Sequence, residues 1–371
     1  MTAYDSPIRL ANGSKVSGRF SRVFPTTSSF APKISFTPSH NPAFSFSQLD
    51  SGSSGEVNSS LVEDSLDLMN QCDVYDGSWV RDESYPLYGA GSCPFIDEQF
   101  NCFLNGRPDN NYQKLRWQPN ACDIPRNEND CFLNRCNKNY MFDYDCSVEF
   151  FRSPFLVQEW EMLYVNGSKR STLRLDLLER SSGRYRSADV LIFNTGHWWT
   201  RGRTAKGKGY FQEGNHIYAK LNVMEAFRKA MMTWARWIDA NVDPAKTIVF
   251  FSGYSPAHFR GGQWNSGGQC DRDTEPIKNA IYLSDYPQKM RVLEDVMKGM
   301  RTPVLYLNVT RMADYRKDAH PSIYRKQKLT EEKRQSTLQF QDCSHWCLPG
   351  VPDTWNELLY FQLLKYYKQQ L

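Results

Sequence analysis

The run Val190-Leu-Ile-Phe-Asn-Thr-Gly-His-Trp-Trp199 opens with four apolar, β-prone residues and then breaks into loop-like text. A strand covered on both faces needs no alternating polar positions, so a short unbroken apolar run ended by loop residues predicts a buried parallel strand. Ile248-Val-Phe-Phe251 and Val304-Leu-Tyr-Leu307 repeat the pattern. Between the first two runs, Val223 to Ala240 places Phe227, Met231, Trp234 and Ile238 on one helical face, and Pro276 to Met300 offers a second helix-sized segment before the third. Strand, helix, strand, helix, strand predicts an α/β fold, a parallel sheet flanked by helices, with ligands bound at the carboxyl ends of the strands. Thr354 to Leu371 closes the chain as a Leu- and Tyr-rich helix.

Upstream the text changes character. Residues 1–70 are rich in Ser and Pro, hold no cysteine and show no sustained apolar period, which predicts a disordered stem or linker. Residues 71–126 are turn-rich and aromatic and carry Cys72, Cys93, Cys102 and Cys122, which predicts a small stapled subdomain; residues 127–371 form the main domain. The ten cysteines include no Cys-x-x-Cys pair and the six histidines are not spaced as zinc partners, so disulfides in an oxidising compartment account for them and no metal is expected. Sequons at Asn12, Asn58, Asn166 and Asn308 agree with a secretory route. Met1 to Arg9 lacks a signal-peptide core and no apolar run approaches the ~18 residues of a membrane helix, so the targeting segment is expected to lie outside this sequence. A net charge of +4, with 45 cations scattered among 41 carboxylates, gives no argument for nucleic acid. The aromatic content of 14% suits a core or a surface on which sugar rings stack.

The most specific short element is Asp342-Cys-Ser-His345, within Gln341-Asp-Cys-Ser-His-Trp-Cys347. Three residues apart in a turn, the carboxylate can hold one imidazole nitrogen, fix the tautomer and leave the other nitrogen to take a proton from a hydroxyl. Cys343 and Cys347, if bridged, would pin the loop from both sides.

Trp117-Gln-Pro119, Phe193-Asn-Thr-Gly-His-Trp-Trp199, Gln212-Glu-Gly214, Gly253-Tyr-Ser-Pro-Ala-His-Phe259, Trp264-Asn-Ser-Gly-Gly-Gln-Cys270, Leu307-Asn-Val-Thr-Arg311, Arg316-Lys-Asp-Ala-His-Pro-Ser322 and Asp342-Cys-Ser-His-Trp-Cys347 stand in a fixed order. In that order, across about residues 72–371, the chain resembles the plant trichome birefringence-like proteins. The resemblance implies an SGNH/GDSL-like fold that transfers acetyl groups to hydroxyls of cell-wall polysaccharides such as xylan or pectin. It further implies a membrane-anchored place in the Golgi lumen, no cofactor and an acetyl donor that the sequence does not name. Asp342 and His345 take the triad's carboxylate and base. Asn194 is the candidate oxyanion-hole donor, with Gly196 beside it. Trp198, Trp199 and Trp264 are candidates for gripping the sugar, although Trp198, Trp199 and His197 could equally wall the cleft. For His258 and His320 packing ranks above catalysis.

One departure matters. Members of that family carry Gly-Asp-Ser, whose serine accepts the acyl group, on the turn after the first strand, between the Trp-Gln-Pro subdomain and Cys146-Ser-Val-Glu-Phe-Phe151. Here that interval is Arg126 to Asp145, turn-prone and polar, and the sequence contains no Gly-Asp-Ser. Val62-Glu-Asp-Ser-Leu66 imitates it, but has Glu where the tight turn needs Gly and precedes Cys72. Ser252 and Ser255, near His258, are not expected at a strand-to-helix elbow. The sheet is therefore expected to lack its first strand and the chain to form no acyl-enzyme. A lost segment would also strand a thiol among Cys93, Cys131 and Cys136. Three readings follow: an acetyltransferase, a polysaccharide-binding protein without turnover, and the product of a truncated transcript.

Overall fold

The computed structural model describes residues 30–36, 71–94, 96–124, 146–163, 169–327, 330 and 337–369. The architecture is α/β. Strands β1 (Phe30–Phe36), β4 (Cys146–Arg152), β7 (Val190–Phe193), β10 (Ile248–Ser252) and β11 (Val304–Leu307) make one sheet in the order β11-β10-β7-β1-β4. The three apolar runs pair in parallel, Val190 opposite Ile248 and Val249 opposite Val304. Every residue of β7 and β10 is buried, whereas three of the four in β11 are only partly so, as befits the sheet edge.

Side-chain alternation along these strands feeds two cores. Leu191, Phe193, Val249 and Phe251 face a cluster built on the helix Val223–Asn241, where Phe227, Met231, Trp234 and Ile238 are fully buried as their spacing predicts. Asn222 caps that helix, its side chain accepting the Met224 amide at 2.7 Å. Val190, Ile192, Ile248 and Phe250 face a second cluster with Trp346 and with Trp355 and Leu358 of the carboxyl-terminal helix Val351–Lys368. The sheet thus lies between two apolar layers, which is why its strands carry no polar alternation.

Three expectations need correction. The second predicted helix is only Gln288–Lys298, because Pro287 sits at its N-cap and the text from Pro276 is irregular apart from a turn at Ala280–Tyr282. The sheet is mixed, not wholly parallel. Beside β7, where a missing first strand would leave a bare hydrogen-bonding edge, stands β1, antiparallel to β7 (Ile34 opposite Val190) and to β4 (Phe36 opposite Cys146). An open edge on a buried strand is costly, and this pairing covers it. These seven residues also correct the expectation of a structureless stem over 1–70. Pro32 within the strand is what hides it in the sequence, since a proline removes a ladder donor and argues against a central strand. The rest of that stretch, including Val62 to Leu66, and the interval Arg126 to Asp145 lie outside the described residues.

The cysteine-rich part packs onto the second core through Cys72, Val74 and Trp117. Its hairpin pairs β2 (Gly77–Arg81) with β3 (Leu115–Pro119), setting Trp79 opposite Trp117 with ring centroids 5.7 Å apart. Disulfides join Cys72 to Cys122, Cys102 to Cys347 and Cys270 to Cys343. Cys93 is buried, so no exposed thiol arises there, and Cys131 and Cys136 fall outside the described residues. A four-stranded sheet of β5 (Val157–Leu163), β6 (Lys169–Leu178), β8 (Phe211–Glu213) and β9 (His216–Ile217) lies against the first core. No described helix is long and apolar enough to cross a membrane. Of the sequons only Asn308 falls among the described residues; it is half-buried and its Thr310 is buried.

Candidate active site

The loops that leave the carboxyl ends of β7, β10 and β11 converge on the segment Asp342–Cys347. Cys343 and Cys347 are bridged on either side of His345, to Cys270 and Cys102 respectively, as the loop's geometry requires for rigidity. Phe100 packs its ring 5.1 Å from the His345 ring, and its carbonyl accepts the Leu348 amide at 2.9 Å. The amino-terminal subdomain therefore clamps the loop directly.

Asp342 and His345 are both buried, at 0% and 1% exposure. His345 Nδ1 lies 2.7 Å from Asp342 Oδ2. Oδ1 accepts the backbone amides of His345 at 3.1 Å and Ser344 at 3.3 Å, and the Ser344 hydroxyl at 3.3 Å. Burial pushes the Asp342 carboxyl up, but the His345 imidazole and its hydrogen bond outweigh that, with Arg325 Nε 3.3 Å away, and hold it well below the usual carboxylate range. An ionised Asp342 accepts from Nδ1–H, which makes Nε2 the basic nitrogen of His345.

Beneath the loop runs a chain of histidines that spacing does not reveal. His320 Nδ1 donates to the His345 carbonyl at 2.6 Å; His320 Nε2 meets His258 Nδ1 at 2.6 Å; His258 Nε2 faces the Asp314 carbonyl at 2.9 Å and its carboxylate at 3.2 Å. Both outer nitrogens face acceptors, the His345 carbonyl at one end and the Asp314 carbonyl and carboxylate at the other. Burial and the neighbouring His258 push His320 well below the ordinary histidine range. Arg107 donates to the His320 carbonyl at 2.9 Å, completing the support.

Asn194, buried, follows β7 directly, and Gly196 has φ +142, open to glycine and strained for any other residue. Lys289, at the start of the helix Gln288–Lys298, donates to the Gly196 carbonyl at 2.8 Å, and burial pushes its amine down to about 8. His197 stacks on Tyr254 with centroids 4.3 Å apart and donates from Nε2 to the Ser255 carbonyl at 2.9 Å; burial pushes its imidazole down to about 3, so it is neutral. Ser255 in turn accepts the Trp346 indole N–H at 2.7 Å, which ties the β7 loop through the β10 loop to the residue beside His345.

The three tryptophans divide. Trp199 is 1% exposed, packs on Phe155, Phe211 and Phe227 and donates to Thr195; it belongs to the core, which corrects its assignment to the sugar-binding surface. Trp198 is half-buried and Trp264 is exposed. Arg203 joins them, its guanidinium carbon 4.6 Å from the Trp198 ring and 5.0 Å from the Trp264 ring. Sequence reasoning missed Arg203 and Lys289, which carry no motif, and the joining of His258 to His320. Of the serines, Ser252 is buried within β10, Ser255 is engaged by Trp346, and Ser344 bonds to Asp342. Among the described residues no group of three His, Cys, Asp or Glu side chains is placed to hold a metal ion.

A sheet with its base on a loop at the strands' carboxyl ends is the arrangement of an SGNH-type acyl esterase, and the comparison with known families agrees. Residues 115–362 match the GDSL/SGNH-like acyl-esterase family found in Pmr5 and Cas1p, and residues 70–123 match the PMR5 N-terminal domain. Protein trichome birefringence of Arabidopsis thaliana is 52% identical over 351 residues, covering 82% of this chain and 58% of that protein. Protein trichome birefringence-like 1 from the same plant is 53% identical over 347 residues, covering 81% and 62%. Protein trichome birefringence-like 4 is 43% identical over 399 residues, covering 94% and 87%. The chain belongs to the trichome birefringence-like family. It spans about three fifths of the length of the first two relatives, 58% and 62%.

Proposed function

We propose that this chain offers the acyl-transfer half-site of its family to a cell-wall polysaccharide, xylan or pectin, in the Golgi lumen, and binds it without completing covalent acetyl transfer. The observation that carries the reading is the buried Asp342–His345 pair, 2.7 Å apart, in a loop closed by two disulfides. Such a pair takes a proton from a hydroxyl and returns it to a leaving group. With Asn194 and Gly196 it supplies what acyl transfer to a sugar hydroxyl requires, apart from the nucleophile. The absence of Gly-Asp-Ser from the sequence supports the loss of turnover, and so do the burial of Ser252 within its strand and the engagements of Ser255 and Ser344.

The test is acetyl transfer from a labelled donor to xylan and pectin oligosaccharides, run beside His345→Ala, with calorimetric binding of the same oligosaccharides. Saccharide binding with transfer no greater than in His345→Ala is the expected result. Transfer that disappears in His345→Ala would mean a working enzyme with an unassigned serine, and absence of any saccharide binding would overturn the reading altogether.

A further inference from the structure

Oδ2 of Asp342 serves two partners at once: His345 Nδ1 lies 2.7 Å from it and Arg325 Nε 3.3 Å. The carboxylate is wholly buried, whereas the Arg325 side chain keeps 28% of its surface in solvent, so the guanidinium enters from outside the site. Among the described residues Nε is aligned on no hydrogen-bond acceptor. Arg325 therefore brings charge to Oδ2 without taking the lone pair that the Nδ1–H of His345 uses.

The segment that carries Arg325 is anchored on the base pair itself. Ser322 and Asp342 form an antiparallel bridge, the Ser322 N–H donating to the Asp342 carbonyl at 2.9 Å and the Asp342 N–H to the Ser322 carbonyl at 3.1 Å. Ser322 has φ 50°, which a non-glycine residue adopts chiefly where its surroundings impose it, and its hydroxyl donates to Gln341 Oε1 at 3.0 Å. From this turn residues 324–327 run along the amino-terminal subdomain. Asn105 donates to the Tyr324 carbonyl at 3.1 Å, Arg325 Nη2 donates to Gln99 Oε1 at 3.0 Å, and the Gln327 N–H donates to Glu98 Oε1 at 3.3 Å. Gln99 immediately precedes Phe100, whose ring packs on His345. The subdomain thus fixes where the charge of Arg325 stands.

A buried carboxylate beside an imidazole favours the imidazolium, and a base that already carries its proton takes none from a hydroxyl. A guanidinium on the same carboxylate offsets that preference, because it weakens the pull of the anion and repels a second cation. The other titratable groups around the pair are engaged elsewhere. Arg107 is paired with Asp109, His258 faces Asp314, Lys289 donates to the Gly196 carbonyl, and Glu98 accepts from Gln327. Burial pushes His197 and His320 below the ordinary histidine range. Among the described residues Arg325 is, besides His345, the one basic side chain within ion-pair distance of Asp342.

We propose that Arg325 is a positioning residue which, held by Gln99, shares Asp342 with His345 and keeps the imidazole in its neutral, proton-accepting form at mildly acidic pH. This rests on the reading of Asp342 and His345 as the base pair of acyl transfer, and it makes the amino-terminal subdomain the part that sets the strength of that base.

The test is a histidine-selective NMR titration of the full chain, the His345 signal being identified by its loss in His345→Ala. Arg325→Gln should raise the His345 midpoint by about one pH unit. Arg325→Lys keeps the charge and should leave the midpoint near its wild-type value. Gln99→Ala frees the guanidinium without removing it and should raise the midpoint by a smaller amount. Near-UV circular dichroism checks the packing of each variant, and a merely structural role would leave the midpoint in place wherever that packing is native. An unchanged or lowered midpoint in folded Arg325→Gln overturns the proposal; were that variant not to fold, an unchanged midpoint in Gln99→Ala would do so. Equal rises in Arg325→Lys and Arg325→Gln would likewise overturn it, since charge would then not be what acts. Xylan and pectin oligosaccharide binding, measured on the same samples, keeps the two readings apart. A raised midpoint without saccharide binding sustains the role of Arg325 and overturns the proposed function, and saccharide binding with an unchanged midpoint does the reverse.

Discussion

The loop Asp342–Cys347 and the loop Asn194–Lys208 stand at the same end of the sheet and are built on opposite principles. In the first, the polar groups of Asp342 are met by His345, Ser344 and Arg325, and disulfides hold both flanks. In the second, His197 Nδ1 and Trp198 Nε1 are buried without a hydrogen-bond partner, and four cations lack counter-ions among the described residues. A native interior satisfies nearly all its buried polar atoms, so two unmet ones on adjacent residues leave this loop less completed than the first, although such atoms also occur elsewhere, at Trp234, Asn308 and Arg316 among others. The first loop is finished within the protein; the second is left unfinished.

Removing a bridge should disturb the finished loop most. Cys343→Ala, which opens a closed span of 73 residues, should cost about 4 kcal/mol of unfolding free energy on loop-entropy grounds and be visible as a lowered denaturation midpoint. An unchanged midpoint would mean that the loop's shape is held by packing alone. Next in size is Asp342→Asn, at about 3 kcal/mol near neutral pH, because it leaves the groups around a buried carboxylate without their charge partner. Since the folded Asp342 carboxyl lies below its ordinary value, its contribution is present above about pH 4 and is lost as pH falls toward its folded pKa. Wild-type and variant stabilities, measured against urea from neutral to acid pH, should therefore converge only below about pH 4. Convergence at higher pH would contradict the assignment.

The smallest effect belongs to the unfinished loop. Lys289→Met removes the donor to the Gly196 carbonyl and should change stability by only about 1 kcal/mol at neutral pH. The Lys289 amine falls to about 8 in the fold, while an unfolded lysine titrates near about 10.4, so the unfolded chain binds more protons between those values. Wild type should accordingly gain stability relative to Lys289→Met as pH rises through that window. A flat difference would place the amine in solvent.

Sequence made the frame legible because its signals are local. Val190–Phe193 and Ile248–Ser252 read as buried strands from their apolar runs, and Phe227, Met231, Trp234 and Ile238 from helical spacing. Asp342 and His345 were readable together because a three-residue turn is enough to join them. What escaped is what depends on distant parts of the chain meeting. Lys289 reaches Gly196 across 93 residues, and His258 reaches His320 across 62. Trp199 and Trp264 are the same residue type in equally motif-rich text; only packing tells that one is core and the other surface. The strand Phe30–Phe36 was hidden by Pro32 and by a composition that favours disorder.

The bond between Cys102 and Cys347 spans 245 residues of sequence. Emerging from a ribosome, the first of these thiols must wait for 245 further residues before its partner exists, surrounded meanwhile by other early cysteines with which it could bond wrongly. The base-bearing loop therefore cannot be locked until both the amino-terminal subdomain and the whole of the sheet Phe30–Leu307 have been made, so its closure reports on the folding of all that lies between.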